Sequence, residues 1–238
     1  SQEMWTAQTL LPISTAPSPI AVLRPQFSAY ALGWMLRDYH GRKLVGHTGG
    51  VSGFVSRVLL VPEENLGMVI LTNAEQRGAF DSIMYHILDS YFGLPPTDWI
   101  APLKAAEDQY KDAAKQAMAK NEKSRAADSI PSLPLEKYAG TYRDVWYGPV
   151  TIRWENSGLV FRMEHTPKAV ADLRHWQYDT FRAHWRDRTI EDAFVTFTLK
   201  PDGSIEHFTM KAVSPIADFS FDYQDLWFTP EEPRAARH

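Results

Sequence analysis

The chain has 238 residues, 44% of them hydrophobic and 23% charged, enough for one large globular domain or two small ones. A net charge of -4 argues against nucleic acid as a partner, and the lack of any cysteine excludes a disulfide framework, a thiolate zinc site and a cysteine nucleophile together. No run approaches the roughly 18 apolar residues of a membrane-spanning helix, and the opening Ser1-Gln2-Glu3-Met4 has no basic segment leading into an apolar one, so Ser1 is read as the mark of a processed or truncated chain.

Up to about Phe27 the chain is rich in Pro, Ser and Thr, as in Pro17-Ser18-Pro19, and reads as an extended connection. Residues 30–38, 42–47, 53–61 and 66–73 are β-branched and aromatic runs cut by short polar or glycine punctuation, the pattern of sequential antiparallel strands. Phe80, Ile83, Met84, Ile87, Leu88 and Tyr91 then recur at spacings of three and four, which predicts an amphipathic helix over 78–92, stopped by Gly93 and Pro95. Residues 98–127 are dominated by Ala, Lys, Glu, Asp and Gln with a thin apolar face. They predict a solvated helical linker whose lysines (104, 111, 115, 120, 123) form a wet face. Beyond Leu135 come eight candidate strands, near 138–144, 149–155, 158–164, 168–175, 178–186, 193–199, 204–211 and 217–223. Hairpin signals such as Asn156-Ser157-Gly158 and Pro201-Asp202-Gly203 separate them. Their even spacing favours a closed up-and-down barrel over a sandwich, because closure removes exposed edges. The fold class expected is α+β: an antiparallel sheet with a helix, then an all-β eight-stranded antiparallel barrel.

The residues that carry chemistry are Gly46-His47-Thr48-Gly49-Gly50, just ahead of Val51-Ser52-Gly53-Phe54. Gly49 and Gly50 remove side chains where a ligand would approach the backbone. A bare strand edge then donates N–H groups to an oxyanion, with the Thr48 hydroxyl beside them. The plain alternative is that Gly49-Gly50 is only a turn. Ser52 does not satisfy the nucleophile-elbow pattern Gly-x-Ser-x-Gly and is set aside as a nucleophile. His165, His175, His184 and His207, with Asp172, Asp179 and Asp187, match no zinc spacing and are read as surface or rim groups, so no metal or cofactor is expected. Trp146, Trp154, Trp176, Trp185 and Trp227 are read first as barrel filling and second as the lining of a ligand cavity.

Tyr30-x-x-Gly33-Trp34, Gly46-His47-Thr48-Gly49-Gly50, Gly53-Phe54 and Leu71-Thr72-Asn73, in that order, resemble the end of a serine hydrolase domain of the beta-lactamase and penicillin-binding-protein kind. Such enzymes carry a Ser-x-x-Lys nucleophile motif, a Tyr-x-Asn or similar motif, and a Lys-Thr-Gly motif that is often His-x-Gly in esterase-like members. His47-Thr48-Gly49 matches the third. The resemblance implies that His47, Thr48 and Gly49 bind substrate and that the Gly50 N–H is one of two oxyanion donors. It covers roughly residues 1–97, a partial transpeptidase-type fold. Leu135-x-x-Tyr138-x-Gly140-x-Tyr142, the Tyr147-Gly148 turn and Gly158-Leu159-Val160 resemble more loosely the lipocalin-like β domain appended to many such hydrolases, and their tyrosines and glycines read equally as packing and turn residues. The expected organisation is a hydrolase segment at 1–97, a helical linker at 98–132 and a lipocalin-like barrel at 133–228.

The departures carry as much information. No serine is followed three positions later by lysine, and no Tyr-x-Asn occurs. The nucleophile, its base and the second-motif tyrosine are therefore expected from an N-terminal portion upstream, and the isolated chain is expected to be inactive. His47 replaces a permanent charge with a titratable ring, which favours esterase or peptidase chemistry over beta-lactam hydrolysis. The partners implied are that N-terminal portion, a second copy by dimerisation or strand swapping, and a small-molecule or peptide substrate. The resemblance implies a periplasmic or extracellular setting. The competing reading is a non-catalytic barrel that binds a small apolar ligand or a peptide.

Overall fold

A computed structural model of the chain describes residues 3–15, 17–51 and 53–231, so Ser1 and Ser52, singled out above, lie outside the described residues. The chain divides into two compact units, Ser1–Lys111 and Asp112–His238.

In the first unit six antiparallel strands lie side by side in chain order: β1 (Thr9–Leu10), β2 (Ser28–Tyr30), β3 (Met35–Tyr39), β4 (Arg42–Val51), β5 (Phe54–Val61) and β6 (Leu66–Thr72). The run expected as one strand over 30–38 is two, because Gly33 takes a positive φ of 78° and turns the chain after Ala31. His40 and Gly41, with φ of 47° and 77°, make the tight turn that matches the right-handed twist of β3 and β4. Helix α1 (Arg77–Phe92) follows, and Phe80, Met84, Leu88 and Phe92, four apart, face Leu44, Val55, Leu59, Val61 and Ile70 of the sheet. Gly93 ends it in the left-handed conformation at φ 66°, with Leu94 N–H bonded to Asp89 O. Asp89 is buried within this core, yet its carboxylate accepts from Tyr39 Oη at 2.6 Å and Trp99 Nε1 at 2.7 Å. Helix α2 (Ile100–Lys123) adds Leu103 to the same core, and Lys104–Asp108 and Lys111–Glu107 pairs on its surface run at i, i+4. A smaller cluster of Ala29, Ala31, Leu36 and Val45, flanked by Trp5, Trp34 and Leu60, is separate from it.

The second unit is a closed antiparallel barrel of eight strands: β7 (Gly140–Asp144), β8 (Gly148–Glu155), β9 (Gly158–Met163), β10 (Val170–Gln177), β11 (Thr180–Trp185), β12 (Ala193–Leu199), β13 (Ile205–Ala212) and β14 (Trp227–Pro230). β14 closes the circle between β13 and β7. The stretch 217–223, expected as the eighth strand, is instead short 3-10 turns at Phe219–Phe221 and Tyr223–Asp225. Its apolar alternation is overridden by aspartates: Asp218 Oδ1 accepts from Ser220 N–H, and Asp222 sits at φ 53°.

The barrel interior is filled by side chains. Phe161, Phe181, Trp185, Phe197, Phe208 and Phe228 contact one another or Tyr138 and Tyr142 edge-on or stacked, and Ala171, Ala183 and Ala193 make room between them. Tyr138 and Tyr142 of the looser motif belong to this core, with Tyr142 Oη donating to Tyr138 O at 2.9 Å and Tyr138 Oη to Asp179. Of the five tryptophans expected to fill the barrel, only Trp185 does so. Trp146, Trp154 and Trp227 are exposed, and Trp176 packs near the surface under the Arg125 guanidinium. No described helix is long and apolar enough to cross a membrane.

Candidate functional site

β4 has two characters. Leu44, Val45 and Gly46 are buried, whereas His47 to Val51 are all exposed. The change falls where β3 runs out, since the last β3–β4 pair is Met35 with Gly46 while β5 continues alongside as far as Val51. Residues 47–51 are thus paired on one edge only among the described residues. Gly49 and Gly50 lie inside the strand, opposite Ser56 and Val55, and do not form a turn.

Register fixes which backbone groups face the open edge. In an antiparallel ladder successive residues bond alternately to the two neighbours, and the pair closing a two-residue hairpin is hydrogen-bonded. Tyr39 and Arg42 close the β3–β4 hairpin, so Arg42, Leu44 and Gly46 bond to β3. Val51 and Phe54 close the next, so Val51, Gly49 and His47 bond to β5. Both countings leave the N–H and C=O of Thr48 and Gly50 pointing to the edge that β3 vacates.

The three glycines of the strand differ in what a side chain would meet. A Cβ on Gly46 would sit 2.9 Å from the Val58 carbonyl oxygen and 2.9 Å from a Leu59 methyl, and one on Gly49 would sit 2.7 Å from Ser56 Oγ. Nothing lies within 4 Å of a Cβ on Gly50. Internal packing therefore demands a glycine at 46, where a backbone carbonyl blocks the space, presses on 49 only through a side-chain hydroxyl that can turn, and leaves 50 free.

Side chains alternate across the sheet. His47 shares a face with Val58 and Val69, and Thr48 shares the other with Arg57 and Ile70. A ligand lying along the open edge meets both. Tyr30 Oη is 3.0 Å from His47 Nε2, with the two rings edge to face. Arg57, beside Thr48, is tied to Asp81 at 2.8 Å and lies over the Phe80 ring at 4.8 Å. Burial pushes the Asp81 carboxyl up, against the opposing pull of Arg57, Arg37 and Arg77. The tip of the β4–β5 hairpin is held by Gly53 N–H donating to Glu75 Oε1 at 2.7 Å. The sequence places His47 at the end of a strand over 42–47 with Thr48, Gly49 and Gly50 just beyond it; the strand runs on to Val51 and carries all four. Sequence reasoning missed Arg57 and Ser56, whose roles depend on cross-strand register, and Glu75, a residue after β6 that reaches the hairpin tip; no local pattern reveals any of the three. No group of three or more His, Asp or Glu residues arranged to hold a metal ion occurs among the described residues.

The beta-lactamase family model matches residues 7–90, and a model described as a domain of unknown function, DUF3471, matches residues 124–230. The chain is similar to the unguisins hydrolase ungD' of Aspergillus campestris, 31% identical over 160 residues that cover 64% of this chain and 28% of that protein. It is also similar to the unguisins hydrolase ungD of Aspergillus violaceofuscus, 29% identical over 63% of this chain and 27% of that protein. The chain spans little more than a quarter of the length of these curated relatives. The crystal structure of the C-terminal domain of penicillin binding protein Rv0907 aligns at 24% identity over 45% of this chain and 94% of that one, with a TM-score of 0.34.

Proposed function

We propose, for a chain whose residues 7–90 belong to the beta-lactamase family of serine hydrolases and precede a closed β-barrel, that it forms one wall of an acyl-enzyme active site for ester, amide or peptide bonds. In this reading an upstream serine, activated by an upstream lysine, attacks the substrate carbonyl, and water later releases the acyl group. The Gly50 N–H donates to the oxyanion that develops, and His47, Thr48 and Gly49 position the substrate along the β4 edge. The observation that carries the reading is the vacated edge of β4, where register leaves the N–H of Gly50 outside the ladder and, among the described residues, nothing lies within 4 Å of where a Cβ of residue 50 would stand. The hydrolase names of the two fungal relatives support bond hydrolysis as the reaction class.

The hydrolase segment is assigned to 1–97, a linker to 98–132 and a lipocalin-like barrel to 133–228. The barrel's filled interior favours a structural role for it. A second reading, a non-catalytic module for a small apolar ligand or peptide, draws support from an open groove of about 1120 Å³ bordered by Leu133, Tyr142, Arg143, Gly203, Ile205 and Glu231. Thermal unfolding with and without candidate ligands separates the two, because a binder is stabilised by its ligand.

The test of the leading reading is ester hydrolysis by the full-length parent protein and by this chain alone. The parent is expected to turn over, to lose at least ~100-fold in kcat when the Gly50 N–H is removed as Gly50→Pro, and the chain alone to be silent. Turnover by the isolated chain, or a parent indifferent to Gly50→Pro, overturns it.

A further inference from the structure

The Tyr30–His47 contact carries more than packing. Tyr30 lies in β2 with its main chain bonded on both sides: it pairs with Thr9 of β1 and Met35 of β3, and its carbonyl accepts from Gln8 N–H at 2.9 Å. That anchoring aims the phenol at a ring seventeen residues later, and Oη reaches His47 Nε2 at 3.0 Å. Among the described residues no other hydrogen-bond partner meets the Tyr30 hydroxyl, and none meets His47 Nδ1. His47 is exposed where β4 leaves β3, so its free nitrogen is the one a ligand meets.

A neutral imidazole has one donor and one acceptor nitrogen, and the partner of one sets the role of the other. A phenol without another acceptor is satisfied by donating to Nε2. We infer that Tyr30 is a positioning residue for His47: by donating to Nε2 it fixes the ring orientation and places the proton on Nδ1, so that His47 addresses the substrate as a neutral Nδ1–H donor. The inference rests on the proposed site, since it assigns the form in which His47 acts there.

The direct test is a long-range proton–nitrogen correlation spectrum of this chain's imidazoles at roughly pH 8.5–9, above the ordinary histidine range, with the His47 signals identified by their loss in His47→Gln. The expected result is an Nδ1-protonated His47 in the unmodified chain and a shift toward the Nε2-protonated form in Tyr30→Phe, whose thermal unfolding stays unchanged. An Nε2-protonated ring in the unmodified chain, or a spectrum indifferent to Tyr30→Phe, overturns the inference, and the first of these is decisive even if the variant fails to fold.

Kinetics of the full-length parent then separate this inference from the reading it rests on. Tyr30→Phe is expected to raise KM by about 5- to 10-fold, the effect of one hydrogen bond, and to add nothing in a His47→Ala background. A parent impaired by His47→Ala but not by Tyr30→Phe refutes the role of Tyr30 and leaves the site standing. A parent untouched by His47→Ala refutes the site itself.

Discussion

Gly46, Gly49 and Gly50 lack side chains for different reasons, and substitution distinguishes them. Gly46→Ala drives a methyl against a backbone carbonyl that cannot rotate away, so the expected cost is about 1–3 kcal/mol in a denaturant unfolding experiment. Gly49→Ala meets a hydroxyl that can turn aside and should cost less. Gly50→Ala should leave the midpoint within about 0.5 kcal/mol, because nothing occupies that space. A Gly50→Ala variant as unstable as Gly46→Ala would show that packing alone explains the glycine. The residues of this strand were legible in the sequence as a group, since His47-Thr48-Gly49-Gly50 has a recognisable order. The division of labour among the glycines was not, because it is decided by Val58, Leu59 and Ser56 on the next strand.

At the scale of elements, the helix and most strands followed from periodicity. Helix α1 runs Arg77–Phe92 against an expected 78–92, and seven of the eight barrel strands overlap their expected positions. The eighth failed because Phe219, Phe221 and Tyr223 alternate like a strand while Asp218 and Asp222 turn the backbone, and because β14 is only four residues ending in Pro230. The contact between sheet and helix offers a sharp test. Asp89→Ala leaves the Tyr39 hydroxyl and the Trp99 N–H without their buried acceptor, so the first unit should lose about 2–4 kcal/mol by denaturant unfolding, each orphaned donor costing ~1–3 kcal/mol. A loss below about 1 kcal/mol would mean that water reaches the site and replaces the carboxylate.

The barrel's ionisable groups predict how its stability depends on pH. Burial raises the Asp192 carboxyl, but hydrogen bonds from Arg182 and Arg188 and the nearby His184 outweigh it and hold the group below the usual carboxylate range. Asp179 behaves alike, its burial outweighed by Tyr138 and Ser132. Burial also holds His184 below the ordinary histidine value, only partly offset by Asp192. All three folded-state values are depressed, so each contribution is complete above the unfolded value and is lost as pH falls through the folded one. Stability of the barrel should therefore be level at neutral pH, begin to fall below about 6.5 through His184, and fall further below about 4 through Asp179 and Asp192. Urea midpoints measured from pH 7.5 to 3 check this, and Asp192→Asn should flatten the acid limb. A midpoint that rises on acidification would contradict the assignment.

At the scale of the whole molecule, the first unit carries an unfinished sheet. Among the described residues β6 pairs with β5 alone, and Val51, Phe54, Val69 and Leu71 are exposed large apolar residues on β4, β5 and β6. A free edge beside apolar side chains is a template for another strand. We expect the isolated chain to associate as a dimer or by strand swapping, and multi-angle light scattering at micromolar concentration reads this directly. A monodisperse monomer would count against it. The second unit has no such edge, because β14 closes its circle.

We propose that this chain supplies a wall, and not the nucleophile, of a serine hydrolase site. Labelling the full-length parent with a fluorophosphonate and locating the adduct by peptide mass spectrometry tests it most directly. One modified serine is expected, outside this sequence, whose labelling slows when Gly50 is replaced by proline. An adduct on any serine of these 238 residues, or a labelling rate unaffected by Gly50→Pro, would contradict it.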